Sequence, residues 1–403
     1  MRRHLIMALA ATALYSGTCM AQNAPATLAD DSPPSLMDEL RAGFFSRVNV
    51  FGFVLYQQPA DTLVNYVNVL SLPRSQAELD VRPDLNLKWR QFELDLKPRM
   101  QWSRNRTLYV DVLQFDSHQR RIYLNEGSLR YRLADRLILS YGRENLQWGP
   151  SMLLSPSNPF NASNGRNNPN LELPGLDYAR AIYVASPALT ISLIDNTSRG
   201  RLDPVNHYRK AAAAKIDYTG DGHFVSVVLS HAQGEGNRIG AFAGWDVSDA
   251  LSVHAEGSVG QNREGLPARR PDRELLVGAT YTLEYGATLS GEYFHRDNGC
   301  TGMPAQACLL LRGAFVDPVR PLIRRRYSLL QYADTKIAGK LNLALRLVNN
   351  LDDHSAQLLL NLEYELGDHW QLYAIPTLYR GSRDSEFGSL LHRSLFVGAS
   401  YTF

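Results

Sequence analysis

The sequence has no long apolar run, few cysteines and almost no net charge. Beyond residue 21 no segment reaches the roughly 18 consecutive apolar residues of a membrane-spanning helix, so helical spanning is excluded. Residues 1–21 hold two of the 42 basic residues and no acidic one, which leaves 40 of each sign. A nucleic-acid binder normally carries a basic excess, so this class is excluded. An exported soluble protein or a transmembrane β-barrel remains.

The first residues predict export. Two arginines precede an apolar run over residues 5–14, and Ala21 is followed by a polar residue. This is the layout of a secretory signal peptide, and the run is too short to anchor the chain as a helix. We therefore expect a signal peptide at 1–21, a periplasmic segment at 22–41 and the folded domain at 42–403.

Two of the three cysteines, Cys300 and Cys308, remain after cleavage. An even pair in an exported protein is a disulfide by default, so we predict a bond between them. Two free thiols are the alternative.

Hydrophobic residues recur with a period of two in segments of about ten residues, for example over 341–348 and 358–366. Such segments are typical of barrel strands, although an amphipathic soluble sandwich has the same alternation. Counting them gives about 18 strands, with a range of 16–20. We predict an all-β fold, a single antiparallel transmembrane β-barrel in the outer membrane of a Gram-negative bacterium.

The connections favour the barrel over the sandwich, because short turns at one end and long loops at the other are characteristic of transmembrane barrels. The predicted short, periplasmic turns are 103–106, 134–136, 220–222, 248–250, 284–286 and 367–369. The predicted long, extracellular loops are 57–83, 145–178, 194–210, 260–273 and 296–325.

Aromatic residues lie beside the predicted short turns. Tyr and Trp prefer the membrane interface, where the ring meets hydrocarbon and the polar group stays in water. The predicted girdle consists of Trp102, Tyr131, Tyr218, Trp245, Tyr281, Tyr364 and Trp370.

The last ten residues resemble the terminal strand of outer-membrane proteins. Tyr401 and Phe403 are aromatic, and apolar residues occupy alternate positions. The resemblance implies that Tyr401 and Phe403 form the signal for the barrel-assembly machinery, and that outer-membrane lipid and lipopolysaccharide surround the protein.

The polar residues that alternate with the apolar face are predicted to line the lumen, since neighbouring strand side chains point to opposite faces. A slip in parity predicts a β-bulge near Arg90 and Gln91. Basic residues on an early strand and acidic ones on later strands would create a transverse field, unless the charges merely balance one another. The lumen candidates are Lys88, Arg90, Glu93, Asp95, Lys97, Arg130, Arg132, Lys215, Asp217, His254, Glu256, Glu292, Arg346, Glu363 and Glu365.

Residues 145–178 form a long segment without alternation, and such loops are usually functional or disordered. The segment could fold into the lumen and narrow it, offering aromatic faces and amides to a sugar. An external cap is the alternative, because turns favour Asn. The candidate constriction or glycan contacts are Trp148, Asn158, Phe160, Asn161, Asn164, Arg166, Asn167 and Asn168.

Within this loop, Trp148-Gly149-Pro150, Leu153-Leu154-Ser155 and Asn158-Pro159 resemble the loop of Wzi-type capsule-assembly barrels and, more loosely, of alginate-export barrels. Ser151 replaces the Gly that follows Trp-Gly-Pro in the capsule family. The resemblance implies that surface polysaccharide is bound or exported.

Motifs of enzymes, metal sites and phosphate loops are absent from the sequence. Wall residues such as His254 with Ser230 or Ser252 could form a catalytic barrel, but scattered histidines are more common. We expect no enzyme activity, no cofactor and no metal. The predicted function is a porin-like channel for hydrophilic solutes or polysaccharide, and the alternative is a glycan-binding barrel with little conductance.

Overall fold

Eighteen antiparallel strands close into one barrel in the computed structural model of the chain, which describes residues 35–109, 113–161, 172–202, 208–261, 271–312 and 322–403. Each strand pairs with the next one in sequence, and the first pairs with the last. The elements are α1 (Leu36–Gly43), β1 (Phe44–Pro59), a 3-10 turn (Tyr66–Asn68), β2 (Pro73–Trp89), β3 (Phe92–Tyr109), β4 (Leu113–Ala134), β5 (Leu137–Glu144), β6 (Leu176–Ser186), β7 (Leu189–Ser198), β8 (Ala211–Gly220), β9 (His223–Ala232), β10 (Gly236–Asp246), β11 (Leu251–Gly260), β12 (Asp272–Thr282), β13 (Thr288–Arg296), α2 (Ala305–Arg312), β14 (Arg326–Ile337), β15 (Leu341–Asn350), β16 (Ala356–Leu366), β17 (Trp370–Arg380) and β18 (Leu391–Thr402).

The outer face of the barrel is apolar and exposed. In β9, for example, Val225, Val227 and Leu229 are exposed on the outside, whereas Ser226 and Val228 are buried on the inside. A surface with so many exposed aliphatic side chains needs an apolar medium around it, because the exposure of each one to water costs free energy.

No helix among the described residues has the length and apolar character needed to cross a membrane.

The connections differ in length at the two ends, as predicted. One end has only turns of two to five residues, and the other has the longer loops together with the 3-10 turn and α2. Short turns mark the periplasmic end of a barrel, so the long loops are extracellular. The predicted fold, an antiparallel barrel of about 18 strands, is confirmed.

The predicted turn at 103–106 is wrong. Ser103 pairs with Gln119 and Arg106 pairs with Asp116 inside the β3–β4 ladder. These two strands have 18 and 22 residues, whereas a strand needs roughly 9–11 to cross the membrane. The polar run therefore marks where the hairpin leaves the hydrocarbon. The loop predicted from residue 57 to 83 is likewise shorter, because β2 begins at Pro73.

The predicted β-bulge at Arg90 and Gln91 is also wrong, because these two residues form the turn between β2 and β3. Arg90 has a left-handed φ of 53°. Its guanidinium pairs with Glu39 of α1 at 3.2 Å and lies 5.1 Å from the ring centre of Trp89. Arg90 is therefore at the periplasmic rim and not on the lumen wall.

Six of the seven predicted girdle aromatics lie within a few residues of a periplasmic turn, on strands β4, β8, β10, β12, β16 and β17. Five of them are exposed, which suits a membrane interface: Tyr218, Trp245, Tyr281, Tyr364 and Trp370. Trp102 is the exception, because it lies ten residues into β3 toward the extracellular end.

We predict that Leu360→Arg destabilises the barrel by roughly 2–4 kcal/mol, since its side chain is on the lipid face near the middle of β16. The control is Asn361→Arg. Asn361 faces the lumen and donates a hydrogen bond to Glu363 at 2.9 Å. The Glu363 carboxylate would pair with the new positive charge, so a much smaller loss of unfolding free energy is expected. Equilibrium urea unfolding in lipid vesicles measures both variants. Equal losses would contradict the assignment of the two faces.

Candidate functional site

Residues 145–161 of the extracellular loop 145–175, called loop 3 here, pack inside the barrel. Its described parts are 145–161 and 172–175. Leu153 and Leu154 pack against inward-facing residues of β12–β15, and Phe160 packs against those of β6–β9. The loop therefore follows the inner wall from β15 round to β6, because Ser157 also contacts β10 and β11 between these two clusters.

Glu256 of β11 holds the middle of loop 3. Its carboxylate accepts hydrogen bonds from Ser151 Oγ at 2.8 Å, from Ser157 Oγ at 2.7 Å and N at 3.1 Å, and from Ser155 Oγ. Gly149 lets the backbone approach this carboxylate, because a Cβ there would be 2.3 Å from a carboxylate oxygen. Ser151, which replaces a Gly of the resembled capsule family, is thus a donor in this contact.

Glu292 of β13 forms the second anchor. Its two carboxylate oxygens accept the backbone N–H groups of Met152 at 2.6 Å and Leu153 at 2.8 Å. His254 Nε2 lies 3.1 Å from the same carboxylate. Glu256 and Glu292 were both predicted to contact solute, but they are 1% and 4% exposed. Both face inward as predicted, yet they bind the loop.

Three of the residues predicted to bind glycans, Trp148, Asn158 and Phe160, make side-chain contacts within the loop. Asn158 accepts the N–H groups of Phe160 at 3.0 Å and Asn161 at 3.1 Å, and it donates to the Leu146 carbonyl at 3.0 Å. Trp148 donates to Ser157 Oγ at 3.2 Å, and its ring meets that of Phe160 edge-on. These contacts stabilise the fold of the loop. Asn164, Arg166, Asn167 and Asn168 lie outside the described residues.

The periplasmic part of the lumen wall carries a mixed charge cluster, so charge is less segregated than predicted. Arg130 of β4 lies 3.7 Å from Glu93 and 3.6 Å from Asp95, and Lys88 lies 3.6 Å from Glu93. Arg132, on the same face and nearer the periplasmic turn, is exposed. Lys97 likewise pairs with Glu126 across the β3–β4 ladder at 3.0 Å.

The remaining lumen candidates also have polar neighbours. Lys215 pairs with Asp217 in β8, and Asp217 accepts from Ser226 at 2.6 Å. Arg346 donates to Gln331 Oε1 from two nitrogens at 2.8 and 2.6 Å. Glu363 accepts from Gln371 at 3.1 Å, and Glu365 shares its inward parity in β16.

One feature of the wall was missed: an aromatic patch faces inward on β1, β17 and β18. Phe51, Phe53 and Phe396 are 2–5% exposed, and the rings of Phe53 and Phe396 are stacked with centres 4.7 Å apart. The Arg82 guanidinium lies 4.4 Å from the ring centre of Phe51. The sequence of β1 is apolar on both faces, so alternation gave no signal for this patch.

Described residues of the extracellular loops on the β13–β1 side pack against one another. Cys300 and Cys308 are joined by a disulfide, and their cluster includes Val64 of loop 60–72 and Ile323. The Ala305 N–H donates to the Asp384 carbonyl at 2.7 Å, which ties α2 to loop 381–390.

Glu386 of loop 381–390 is half-buried among these loops. Its carboxylate accepts from Tyr327 Oη and Asn350 Nδ2, both at 2.6 Å, and from the Ile323 N–H at 3.1 Å. Burial raises the pKa of the Glu386 carboxyl to about 7.

A cavity of about 340 Å³ lies between loop 3, loop 381–390 and the β15–β17 wall. Ligand sites of small molecules begin at roughly 300 Å³ and combine apolar walls with a few polar groups. The lining residues include Leu153, Leu322, Arg346, Gln357, Tyr379 and Glu386.

No protein-family model matches the sequence, and no curated protein matches it. Solved structures do match the barrel. OccK7 (OpdD) of Pseudomonas aeruginosa has a TM-score of 0.59 and 12% identity, over 90% of this chain and 99% of its own. OccAB3 of Acinetobacter baumannii has a TM-score of 0.56 and 12% identity, with coverages of 90% and 99%. OprD of P. aeruginosa has a TM-score of 0.56 and 10% identity, with coverages of 89% and 95%.

This chain has the fold of an outer-membrane β-barrel. The matched structures are outer-membrane porins of Gram-negative bacteria rather than enzymes, and the likeness establishes the shared fold. The resemblance to Wzi-type and alginate-export barrels finds no support in these matches. The absence of enzyme activity stays a prediction. Among the described residues, no group of three or more His, Cys, Asp or Glu side chains could hold a metal ion.

We predict that the packing of loop 381–390 weakens as pH rises through about 7. A pKa raised above the ordinary 4.5 means that the folded form holds its proton more tightly. The stability this contributes is present below pH 4.5 and is lost as the buried carboxyl ionises. Hydrogen–deuterium exchange of 381–390, corrected for intrinsic rates, should be faster at pH 8 than at pH 5.5. In Glu386→Gln this difference should disappear, and its persistence would show that another group titrates.

Proposed function

We propose that the protein is a channel for small hydrophilic solutes, and that loop 3 sets its bore. The observation that carries this proposal is the anchoring of loop 3 inside the lumen by the buried carboxylates of Glu256 and Glu292. A loop fixed at defined points narrows a barrel to a constant width, whereas a loosely held one would not. The porin fold of the matched structures agrees with a channel.

The solute is proposed to be small and partly polar. The cavity of about 340 Å³ beside loop 3 has the polar groups of Arg346, Gln357 and Tyr379 and apolar walls. An extended polysaccharide would need a wide, continuous passage, and loop 3 occupies part of the lumen. The glycan-binding alternative has less support, because Trp148 and Asn158 are occupied by contacts within the loop.

Planar-bilayer recording tests the channel and its constriction together. The wild type should give stepwise conductance. In Glu256→Ala/Glu292→Ala the loop loses both anchors, so conductance should rise roughly twofold or more and become noisier, as the bore of a barrel depends on what occupies its lumen.

Glu363→Gln is the matched control, because it removes a lumen carboxylate that has no described contact with loop 3. Its conductance should stay near that of the wild type. A wild type that is electrically silent would reject the channel in favour of a plugged barrel. Unchanged conductance in the double variant would reject loop 3 as the constriction.

Ion selectivity should depend on the charge cluster at the periplasmic end of the lumen. Arg130→Gln/Arg132→Gln removes two positive charges from this end of the lumen, one of them within 3.7 Å of Glu93 and Asp95, so the reversal potential under a salt gradient should shift toward cations. Glu93→Gln/Asp95→Asn should shift it in the opposite direction. Reversal potentials that do not move in either variant would remove this cluster from the permeation path.

A further inference from the structure

A group of basic side chains lies on the outer surface of the β3–β4 hairpin, where it emerges from the membrane. Opposed residues of an antiparallel pair point to the same face of the sheet. Arg120 opposes the exposed Trp102, and His118 opposes Arg104. Arg106 follows Arg104 at the next outward position of β3. We call Arg104, Arg106 and Arg120 the outer basic cluster.

The height of the cluster follows from strand geometry. Arg104 is twelve residues beyond Phe92, which begins β3 at the periplasmic turn. With a rise of about 3.3 Å per residue and a tilt of about 40°, it stands roughly 30 Å above that turn. The apolar band of such a barrel is about 25 Å tall. The guanidiniums are therefore level with the headgroups of the outer leaflet.

Among the described residues, one carboxylate, that of Asp116, contacts guanidiniums of the cluster, those of Arg104 and Arg106. Asp116 accepts from Arg104 Nη2 at 2.8 Å and from Arg106 Nε at 3.1 Å, so one carboxylate holds two guanidiniums in place. Arg120 has no ion pair with any described residue, and its side chain is exposed. Arg104 and Arg106 are 52% and 45% exposed. The surface thus offers positive charge that is already ordered.

Below the cluster, the same outer face is apolar. Trp102, Met100 and Ile122 are exposed there, Ile122 to 78%, and Leu79 of the neighbouring strand β2 continues the surface. A ligand complementary to both parts has phosphate groups above and acyl chains below. Guanidinium groups bind phosphate through paired hydrogen bonds, so the interaction depends on more than positive charge.

We propose that this face of the β3–β4 hairpin binds the lipid A part of lipopolysaccharide. A phosphate contacts Arg104, Arg106 and Arg120, and acyl chains pack on Trp102 and Ile122. The site belongs to the outside of the barrel, so it is independent of whether the lumen conducts.

Native mass spectrometry of the detergent-purified chain, titrated with bis-phosphorylated lipid A, tests the proposal. The wild type should retain one lipid A more tightly than any others. Arg104→Gln/Arg106→Gln/Arg120→Gln should bind it roughly tenfold more weakly, since it loses the charge-assisted bonds to phosphate. Arg41→Gln/Arg90→Gln/Arg136→Gln is the matched control, because it removes the same charge at the periplasmic end and should bind like the wild type.

Three further arms identify the source of the binding. Dephosphorylated lipid A should bind as weakly as the cluster variant, and inorganic phosphate should displace lipid A poorly because it lacks acyl chains. Arg104→Lys/Arg106→Lys/Arg120→Lys keeps the charge without the paired donors and should bind at an intermediate level. Arg120→Gln alone breaks no described ion pair, so it tests the site even if the triple variant fails to fold.

Equal binding by the cluster variant, or by Arg120→Gln if only that folds, would overturn the proposal. An equal loss in the periplasmic control would also overturn it, because the attraction would then be net charge alone. Full displacement by inorganic phosphate would also contradict the proposal, because the cluster would then be a site for a free anion. Undiminished binding of dephosphorylated lipid A would contradict it as well, because binding would then rest on apolar contacts alone.

Discussion

The structure depends on the pairing of β1 with β18. In hydrocarbon, an unpaired backbone N–H or C=O costs several kcal/mol, so a sheet within the membrane must close. Eleven register pairs from Asn49 to Pro59 join the first strand to the last and leave no open edge. Because the number of antiparallel strands is even, the first strand begins and the last strand ends on the periplasmic side. Long connections are confined to the other side, where loop 3 has the length to turn back into the lumen.

The number of strands and the two faces of most of them could be predicted from alternation alone, because lipid and water act on alternate residues of every strand. Prediction from alternation failed where lipid and water do not act on alternate residues of a strand. In β1 both faces are apolar, since Phe51 and Phe53 pack inside against Phe396. In β3 the run from Ser103 to Arg106 has left the hydrocarbon, and a polar strand was taken for a turn. At Arg90, a two-residue turn was taken for an irregularity within one strand.

The candidate site was predicted only in part. The alternation of residues along each strand predicted that Glu256 and Glu292 face the inside of the barrel. It did not predict which groups they bind. Ser151 lies 105 residues before Glu256, and nothing local relates the two. The loop was expected to use its Trp and Asn side chains on a ligand, yet Trp148 bonds the Ser157 hydroxyl and Asn158 satisfies backbone groups of the loop itself. A buried loop must pair its polar groups before it can offer any.

The disulfide has a consequence for the order of biogenesis. Cys300 and Cys308 are only eight residues apart, so they can meet while the rest of the chain is still extended. They end on the extracellular side, beyond reach of the oxidising catalysts of the periplasm. The bond can therefore form before the barrel inserts, when the segment crosses that compartment. The segment that contains α2 would then reach the membrane already crosslinked.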